Sequence, residues 1–499
     1  MYFEHNLDSN LSLLPSEYSD EIAKIITEIK DKTERQKLGQ FFTPLKTTQE
    51  FTDFFKLEFN NNTVNICEPA CGLGILSCCF IEQLCSYKSI KSIELTCFEI
   101  DSSIIKYTYS ILNKLKSYCS NFGVSLNFNI IEEDFILYFK NIFESKEDAN
   151  LFDIIISNPP FYKLENNDIR VKLASDILYG LPNIFSIFYF LSSKLIKKDG
   201  YLNFLIPRSF CSGSFFKQYR EHFVNHIKFE KIHLFSSDDK IFDSHSVLYE
   251  FIFLLSVKTK VTNEYIINIS HSDSVNSPQN VSFNYSFNIS ENIIPLPTNE
   301  DDLTILKKFN SFPLSLRSLG FTVKYSKLII TKVEKMLSDI FKDNTYPVVW
   351  LYNIESTKFE FPLQSKYHNY INYSPEIEQY LIPNRNYIFF RRYNNDDYIR
   401  RIKAATYNKD FLKADKLAID RLVGVIFNDS ENFPIETYYG LTAYLNSDTV
   451  NNYFRMINGI INVTGEMILD LPLPAIAVIN KIGFDIKNGN NIDVDKTIK

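Results

Sequence analysis

Short, continuous apolar runs alternate along the chain with longer segments in which apolar residues have helical spacing. Apolar runs of this length are typical of strands buried on both faces of a parallel sheet. The predicted strands are Val64–Cys67, Ile93–Ile100, Val124–Ile131, Ile154–Ile156, Tyr201–Pro207 and Val247–Leu255. Helical spacing follows in segments such as Ile75–Cys85 and Ile184–Ile196. This alternation predicts an α/β fold built from βαβ units.

The chain before the first strand is polar and contains one amphipathic helix, predicted over Glu21–Lys30. A second helix is predicted to begin at Thr43-Pro44, with Thr43 as its cap and Pro44 in its first turn.

Ligand-binding residue types stand where the first three strands end. The first strand leads into a glycine-containing turn, Glu68-Pro69-Ala70-Cys71-Gly72-Leu73-Gly74, and then into a helix. Glu99 closes the second strand, and Asp134-Phe135 follows the third. Because the carboxyl ends of parallel strands form the ligand crevice, these groups are expected to meet there. Glu68 would repel a pyrophosphate, so this crevice suits a cationic ligand.

The fourth strand ends abruptly at Asn158-Pro159-Pro160-Phe161. Neither proline can donate to a sheet ladder, and both hold the backbone rigid. The Asn158 amide and the Pro159 carbonyl can therefore point at a ligand with little freedom to relax, beside the aromatic ring of Phe161. An ordinary turn after a core strand is the simpler interpretation of Asn-Pro alone.

Two later segments combine aromatic and basic residues, as surfaces that bind nucleic acids do. The first contains Phe215 and Phe216 beside Lys217 and Arg220. The second, Tyr387–Tyr393, contains the pair Arg391-Arg392 and is followed by Arg400-Arg401. Helix core and solvated surface are the alternative interpretations of these two segments.

Composition narrows the class of protein. The 499 residues carry a net charge of −7, which argues against an indiscriminately basic nucleic-acid binder but allows a local basic cleft. No signal peptide and no run of about 18 apolar residues is evident, so a cytoplasmic protein without a membrane span is expected. The eight cysteines lie in or near apolar runs, which predicts reduced, buried thiols. Their spacing does not fit a zinc site, so no metal is predicted.

Taken in order, these motifs resemble the DNA adenine-N6 methyltransferases of the TaqI-type (γ) arrangement, a group of restriction–modification methylases. The resemblance covers residues 37–255 and extends to Leu319–Val323, Phe389–Arg392 and Ala443–Ser447. It implies a Rossmann-like S-adenosylmethionine-dependent methyltransferase domain with a mixed seven-stranded sheet, followed by an α+β target-recognition domain. The implied division is an N-terminal helical arm (1–36), a catalytic domain (37–257), a linker (258–301) and a target-recognition domain (302–499).

The resemblance also implies a role for each motif residue. S-adenosylmethionine would be held by Thr43, Glu68, Ala70, Cys71, Gly72, Gly74, Glu99, Ile100, Asp134 and Phe135. The catalytic residues would be Asn158, Pro159, Pro160 and Phe161. Contacts to a flipped adenine and to DNA would come from Phe216, Phe215, Arg391, Arg392, Arg400 and Arg401.

Double-stranded DNA is the implied partner, with a separate cognate restriction endonuclease and a monomeric enzyme as further expectations. The main alternative is an N-methyltransferase acting on RNA or on protein glutamine, because Asn-Pro-Pro-[Phe/Tyr] also occurs in such enzymes. A fused restriction–modification enzyme is a second alternative, although about 36 residues before the methylase segment are too few for a nuclease core. A DNA-binding module without activity is the third, and the intact Asn158, Glu99 and Asp134 argue against it.

Overall fold

The computed structural model divides the chain into two compact units, Met1–Thr298 (unit 1) and Asn299–Lys499 (unit 2). The residues that it describes are 12–29, 42–55, 61–145, 148–176, 183–212, 216–223, 225–235, 251–261, 264–271, 281–288, 293–329, 332–355, 357–364, 367–392, 400–430, 432–458 and 463–498.

Unit 1 is built on a mixed sheet whose described strands have the order β3-β2-β1-β4-β5-β7-β6-β8-β9. The strands are β1 (Thr63–Pro69), β2 (Ser92–Phe98), β3 (Ser125–Ile131), β4 (Phe152–Ser157), β5 (Ile196–Pro207), β6 (Ile227–Leu234), β7 (Phe251–Lys258), β8 (Glu264–His271) and β9 (Val281–Asn288). Strands β1 to β5 pair in parallel, and β7 runs antiparallel between β5 and β6. The predicted α/β class is confirmed.

The predicted number of seven strands is wrong, because β8 and β9 extend the sheet to nine within the described residues. Both strands lie in 258–301, so the predicted linker is also wrong. Asn and Ser are common in this segment, and they obscure an alternating pattern in which Ile267, Ile269 and Phe287 point inward and are fully buried. The two strands pair antiparallel, with Ile267 opposite Tyr285. Strand β6 was likewise not located from the sequence.

Helices cover both faces of this sheet. Those of unit 1 are α1 (Pro15–Ile29), α2 (Leu45–Phe54), α3 (Ile75–Leu84), α4 (Ser102–Asn121), α5 (Phe135–Tyr138), α6 (Lys140–Glu144), α7 (Ile169–Leu173), α8 (Ile184–Leu195) and α9 (Lys217–Phe223). A short 3₁₀ turn, Arg208–Cys211, follows β5.

Within the predicted N-terminal arm, residues 15–29 form helix α1, which is part of the core of unit 1. Helix α1 packs against α3 and α4, and it buries Ile22 and Ile26 in the same cluster as Ile66 of β1. The Ser16 amide and hydroxyl both donate to the Glu82 carboxylate on α3. An amphipathic stripe predicts that a helix buries one face, but it does not identify the surface that covers it.

The strand order creates the crevice of unit 1. β1 lies between β2 and β4, and the chain passes from β3, on one side of β1, to β4 on the other. Connections therefore leave the carboxyl ends of β1 and β4 in opposite directions, and a ligand crevice opens at such a switch point. The buried strand residues Ile66 and Ile154–Ile156 hold the two strand ends in place.

Unit 2 combines antiparallel-rich sheets with helices gathered mainly near the C-terminus, in agreement with the predicted α+β class. One sheet has the order β11-β21-β18-β19, and another has the order β12-β16-β13-β20-β17. Two short pairs, β10-β22 and β14-β15, complete the described strands. The strands are β10 (Leu314–Ser315), β11 (Phe321–Tyr325), β12 (Leu337–Ser338), β13 (Thr345–Val349), β14 (Ile354–Glu355), β15 (Lys358–Phe359), β16 (Tyr370–Asn372), β17 (Leu381–Pro383), β18 (Tyr387–Arg391), β19 (Ala404–Tyr407), β20 (Lys416–Ile419), β21 (Val423–Asn428) and β22 (Pro472–Leu473).

The helices of unit 2 are α10 (Glu300–Ser311), α11 (Ile435–Leu445), α12 (Asp448–Ile457), α13 (Gly465–Leu469), α14 (Ile476–Lys487) and α15 (Val494–Thr497). Across the described parts of both units, every helix is too short or too polar to cross a membrane. All eight cysteines are free and buried, as predicted.

Candidate active site

A pocket lies at the carboxyl ends of β1 to β4, where the sequence predicted a ligand crevice. It is lined by Phe42, Thr43, Glu68, Ala70, Cys71, Gly72, Leu73, Ile75, Leu76, Phe98, Glu99, Ile100, Glu133, Asp134, Phe135, Asn158, Pro159, Pro160, Phe161, Tyr162, Arg170, Ile184 and Phe188. Every residue predicted to hold the cofactor is in this lining except Gly74, and so are the four predicted catalytic residues. Strand ends far apart in the sequence therefore meet at one crevice.

The glycine turn bends the chain sharply between β1 and α3. Ala70, Gly72 and Gly74 all have positive φ, at 55°, 54° and 74°. Glycine adopts this conformation without steric cost, whereas Ala70 adopts it with strain. Gly74 is the N-cap of α3, so its role is to begin the helix. The Cys71 amide donates to the Phe98 carbonyl at 2.9 Å, which ties the turn to the end of β2.

Glu68 is a fully buried acid at the end of β1. Its carboxylate accepts from the Ser77 amide at 3.0 Å and from the Ser77 hydroxyl. Burial raises the pKa of Glu68 to about 8, and the nearby Glu99 carboxylate adds to the increase. A cation entering the pocket would favour the ionised form, because opposite charges attract strongly where water is excluded.

Glu99 is held by backbone amides at the end of β2. Gly72 donates to one carboxylate oxygen at 2.8 Å, and Ile100 and Asp101 each donate to the other at 2.9 Å. Burial raises the pKa of Glu99 above its ordinary value, whereas these amide bonds act in the opposite direction. The carboxylate is thus oriented before any ligand arrives, with lone pairs left for hydroxyl donors.

Apolar side chains form the wall beyond Glu99. Ile100 is 49% exposed at the pocket, which is unusual for a large aliphatic residue. Phe135 is buried, and its ring centroid lies 5.2 Å from that of Phe98 and 5.3 Å from that of Phe188. A flat heterocycle could pack between the exposed Ile100 and this aromatic cluster.

Asp134 and Arg170 form an ion pair in the pocket lining. Asp134 Oδ1 accepts from the amides of Ile136 and Leu137, and Arg170 Nη1 donates to Asp134 Oδ2 at 3.1 Å. Asp168 binds the other side of the same guanidinium. Arg170 was missed in the sequence because it lies in a short polar helix without a recognised motif.

Asn158 is oriented by Thr43. Its side-chain amide donates from Nδ2 to Thr43 Oγ1 at 2.7 Å. Its Oδ1 atom is buried and finds no hydrogen-bond partner among the described residues. The adjacent Ser157 hydroxyl donates to the Pro69 carbonyl at 2.9 Å, which joins the ends of β4 and β1. A buried acceptor without a partner costs about 1–3 kcal/mol, and such sites are typical of ligand positions.

Thr43 corrects one prediction. Helix α2 begins at Leu45 with Pro44 as its N-cap, and the amide of Leu45 donates to Asp20 Oδ1 at 3.2 Å. The Thr43 hydroxyl is therefore used at Asn158 and not for capping. A Thr-Pro pair predicts a helix start, but the long-range contact to residue 158 has no local signal.

Two aromatic rings lie beside Phe161. Its centroid lies 4.8 Å from that of Phe251 and 6.4 Å from that of Phe185. Phe216 is 5.5 Å from Phe185, so it belongs to the same cluster without lining the pocket. Phe215 lies outside the described residues.

The four predicted DNA-contacting arginines have contacts within unit 2. Arg391 donates to the Ile354 carbonyl and pairs with Glu355 at 2.8 Å. The Arg392 guanidinium lies 5.0 Å from the centre of the Tyr325 ring. Arg400 pairs with Asp448 at 2.8 Å, and the Arg401 amide donates to Asn451. Arg391, whose side chain is only 10% exposed, therefore has a structural environment, and its predicted role as a DNA contact is untested.

Unit 2 contains a separate cleft of about 510 Å³. Its lining combines the basic side chains Lys324, Lys327 and Arg385 with Tyr325, Tyr380, Tyr387 and Phe427. It also contains Asp429, which pairs with Arg385 at 3.2 Å. Lys324 lies 5.1 Å from the centre of the Phe427 ring. The sequence did not single out this cleft, because its cations come from separate strands and loops.

No described group of three or more His, Cys, Asp or Glu side chains is arranged to hold a metal ion.

Comparison with known proteins identifies relatives over nearly the whole chain. Residues 75–242 match the family described as Eco57I restriction-modification methylase. The Type II methyltransferase M.BsuBI of Bacillus subtilis is 28% identical over 94% of this chain and 94% of its own length. M.PstI of Providencia stuartii is 26% identical over 88% of this chain and 87% of its own length.

One similar solved structure is the ATP-dependent Type ISP restriction-modification enzyme LlaBIII bound to DNA. It matches with a TM-score of 0.50 and 12% identity, over 95% of this chain and 41% of LlaBIII. This likeness concerns the fold alone. The predicted resemblance to restriction–modification methylases is confirmed by the sequence relatives.

Proposed function

We propose that this chain is a DNA methyltransferase that transfers a methyl group from S-adenosylmethionine to the N6 amino group of adenine in double-stranded DNA. One observation carries the proposal: Asn158, whose buried Oδ1 lacks a partner among the described residues, lines a pocket that also contains Glu68, Glu99, Glu133 and Asp134. The similarity to Type II methyltransferases over nearly the full chain supports it.

The residues of the pocket fit S-adenosylmethionine, which supplies a methyl group activated by a sulfonium cation. Glu68 and the glycine turn would surround its methionine part. Glu99 would accept from the ribose hydroxyls. Ile100 and Phe135 would pack on the adenine ring, and Asp134 would accept from the amino group of that ring. Two buried carboxylates in one pocket suit a cationic ligand and disfavour an anionic one.

Asn158 would act on the target amino group. The lone pair of an adenine amino nitrogen is delocalised into the ring, so the nitrogen is a weak nucleophile. Asn158 Oδ1 and the Pro159 carbonyl would each accept a hydrogen bond from the amino group and hold its nitrogen with the lone pair directed at the methyl group. Positioning and a preorganised polar site therefore supply most of the rate enhancement, without a strong base.

Phe161 would stack on the target adenine after it leaves the helix. Extrusion of a base costs a few kcal/mol, and stacking on an aromatic side chain restores about 1–3 kcal/mol. The cluster with Phe185 and Phe251 restricts the Phe161 ring, so little conformational entropy is lost when a base binds.

We further propose that unit 2 binds the DNA through the cleft of Lys324, Lys327 and Arg385. Cations with adjacent aromatic rings suit phosphate contacts beside bases. Lys327 forms no ion pair with any described residue, which leaves its charge available for a phosphate.

Methyl transfer from labelled S-adenosylmethionine tests the function. Duplex DNA should accept label, and its digestion should yield N6-methyladenine, whereas structured RNA and protein substrates should not accept label. Asn158→Ala is the matched inactive control. Label in RNA or protein glutamine, or a different methylated base in DNA, would contradict the proposal.

A further inference from the structure

Arg170 lies in the pocket without a role in the function proposed above. It is on helix α7, nine residues after Phe161, and its guanidinium donates to the side chains of Asp134, Tyr162 and Asp168. Nη1 donates to Asp134 Oδ2 at 3.1 Å and to the Tyr162 hydroxyl at 3.3 Å. The side chain is 18% exposed, so these bonds are partly shielded from water.

Asp168 holds this guanidinium in one orientation. Nε donates to Asp168 Oδ1 at 2.9 Å, and Nη2 donates to Asp168 Oδ2 at 2.6 Å. Two parallel bonds to one carboxylate fix the plane of an arginine fork. Asp168 also accepts from the Arg170 amide, so the clamp is built on the first turn of α7.

The clamped guanidinium in turn constrains Asp134. Two backbone amides hold Oδ1, and Arg170 alone among the described residues donates to Oδ2. Without Arg170, the Asp134 carboxylate could rotate while Oδ1 keeps its two hydrogen bonds, and the position of Oδ2 would no longer be fixed. With Arg170 in place, Oδ2 keeps one further lone pair for a second donor, and Asp134 is part of the pocket lining.

We propose that Arg170 is a positioning residue for cofactor recognition, which fixes the Asp134 carboxylate so that Oδ2 accepts from the exocyclic amino group of the cofactor adenine. This inference rests on the cofactor role of Asp134 in the proposed function. A fixed acceptor discriminates an amino group from a carbonyl at the same position, because a carbonyl oxygen would face the carboxylate without a proton between them.

The test compares S-adenosylhomocysteine with S-inosylhomocysteine, which carries a carbonyl in place of the exocyclic amino group and a proton on the adjacent ring nitrogen N1. Calorimetric Kd values are measured without DNA. The wild-type protein should prefer S-adenosylhomocysteine, and Arg170→Ala should reduce that preference by about tenfold, chiefly through weaker binding of the amino ligand. Arg170→Lys keeps a charge near Asp134 but cannot form the fork, so it should restore part of the preference.

Lys172→Ala is the control, because Lys172 is an exposed cation on the same helix. It should leave the preference unchanged. If Arg170→Ala lowers the melting temperature sharply, Asp168→Asn provides a milder variant, which retains a capping side chain and should shift the preference in the same direction.

An undiminished preference in a folded Arg170→Ala protein would overturn the inference, and so would a gain in affinity for the amino ligand. Failure of the proposed cofactor role is a different result, since the wild-type protein would then bind neither ligand or bind both equally.

Discussion

At the scale of single residues, the site depends on how polar atoms are oriented before a ligand arrives. A rotation of 180° about the terminal torsion of Asn158 would exchange the positions of Oδ1 and Nδ2. The bond from Nδ2 to Thr43 selects one of these two orientations and leaves Oδ1 without a partner among the described residues. Glu99 is oriented in the same manner by three backbone amides. Such preorganisation lowers the cost of organising the site during the reaction.

Substitutions of Asn158 and Thr43 should distinguish the loss of the acceptor itself from the loss of its orientation. Asn158→Ala is expected to lower kcat by about 100-fold or more, because an acceptor used in the transition state is lost, while cofactor affinity stays near the wild-type value. Thr43→Val should lower kcat by about tenfold, because the amide is no longer held. Thr43→Ser, which keeps the hydroxyl, should retain activity. Single-turnover rates and calorimetric affinities measure both effects, and a wild-type rate in Asn158→Ala would contradict the assignment.

Glu68 should make the affinity for the sulfonium cofactor depend on pH. Burial raises its pKa to about 8, so the free protein carries mostly the neutral acid at pH 6 to 7. A bound cation favours the ionised form and lowers this pKa, so binding releases a proton. Affinity for S-adenosylmethionine is therefore expected to rise with pH and to level off above pH 8.

S-adenosylhomocysteine, which has an uncharged thioether, provides the comparison because its affinity should change much less over the same range. Glu68→Gln should make the two ligands behave alike. Calorimetry from pH 6 to 9 measures all three, and parallel pH profiles for the two ligands in the wild-type protein would exclude this role for Glu68.

At the scale of elements, the residues with candidate chemical roles lie at strand ends, and the pattern of apolar residues along the chain indicates which segments form strands. Strands β1 to β4 were predictable since their apolar runs are continuous, as is usual for strands covered on both faces. Strands β8 and β9 escaped prediction because polar residues fill most of their outward positions. Helix α1 was predicted as an element, but its place in the core depends on the surface formed by α3 and α4.

The β8–β9 hairpin offers a matched pair of neighbouring isoleucines. Ile267 is fully buried and Ile266 is 57% exposed, on opposite faces of β8. Ile267→Ala is expected to lower the free energy of unfolding by about 2–4 kcal/mol, whereas Ile266→Ala should change it by less than about 1 kcal/mol. Urea unfolding monitored by circular dichroism distinguishes them. Equal, small effects would mean that residues 264–288 contribute little to the free energy of unfolding.

At the scale of the whole molecule, our proposal assigns methyl transfer to unit 1 and DNA binding to unit 2. Unit 1 contains the pocket and the Asn158 site, and unit 2 contains the basic, aromatic cleft. The net charge of −7 makes a general attraction to DNA weak, so binding would depend on local cations. Arg391 has its partners within unit 2, whereas Lys327 has no described ion pair.

Lysine substitutions should locate the DNA contact on unit 2. Lys327→Ala is expected to weaken binding of duplex DNA and to reduce the slope of log K against log salt by about 1, because one phosphate contact is lost. Lys481→Ala, at an exposed position on α14, serves as the control and should leave the slope unchanged. Fluorescence anisotropy at several salt concentrations gives both slopes. Equal slopes for the two variants would exclude Lys327 as a contact.

The amino-acid sequence by itself determined the α/β class, the strand ends that carry Glu68, Glu99 and Asp134, and the Asn158-Pro159-Pro160-Phe161 segment. These features are local, because period, turn chemistry and residue type within about ten positions encode them. The tertiary structure alone decided which distant side chains meet: Thr43 with Asn158, and Arg170 with Asp134. It also decided that Arg391 and Arg400 pair with Glu355 and Asp448. Such contacts form only when the packed elements bring separate segments together, and no short pattern in the sequence specifies that packing.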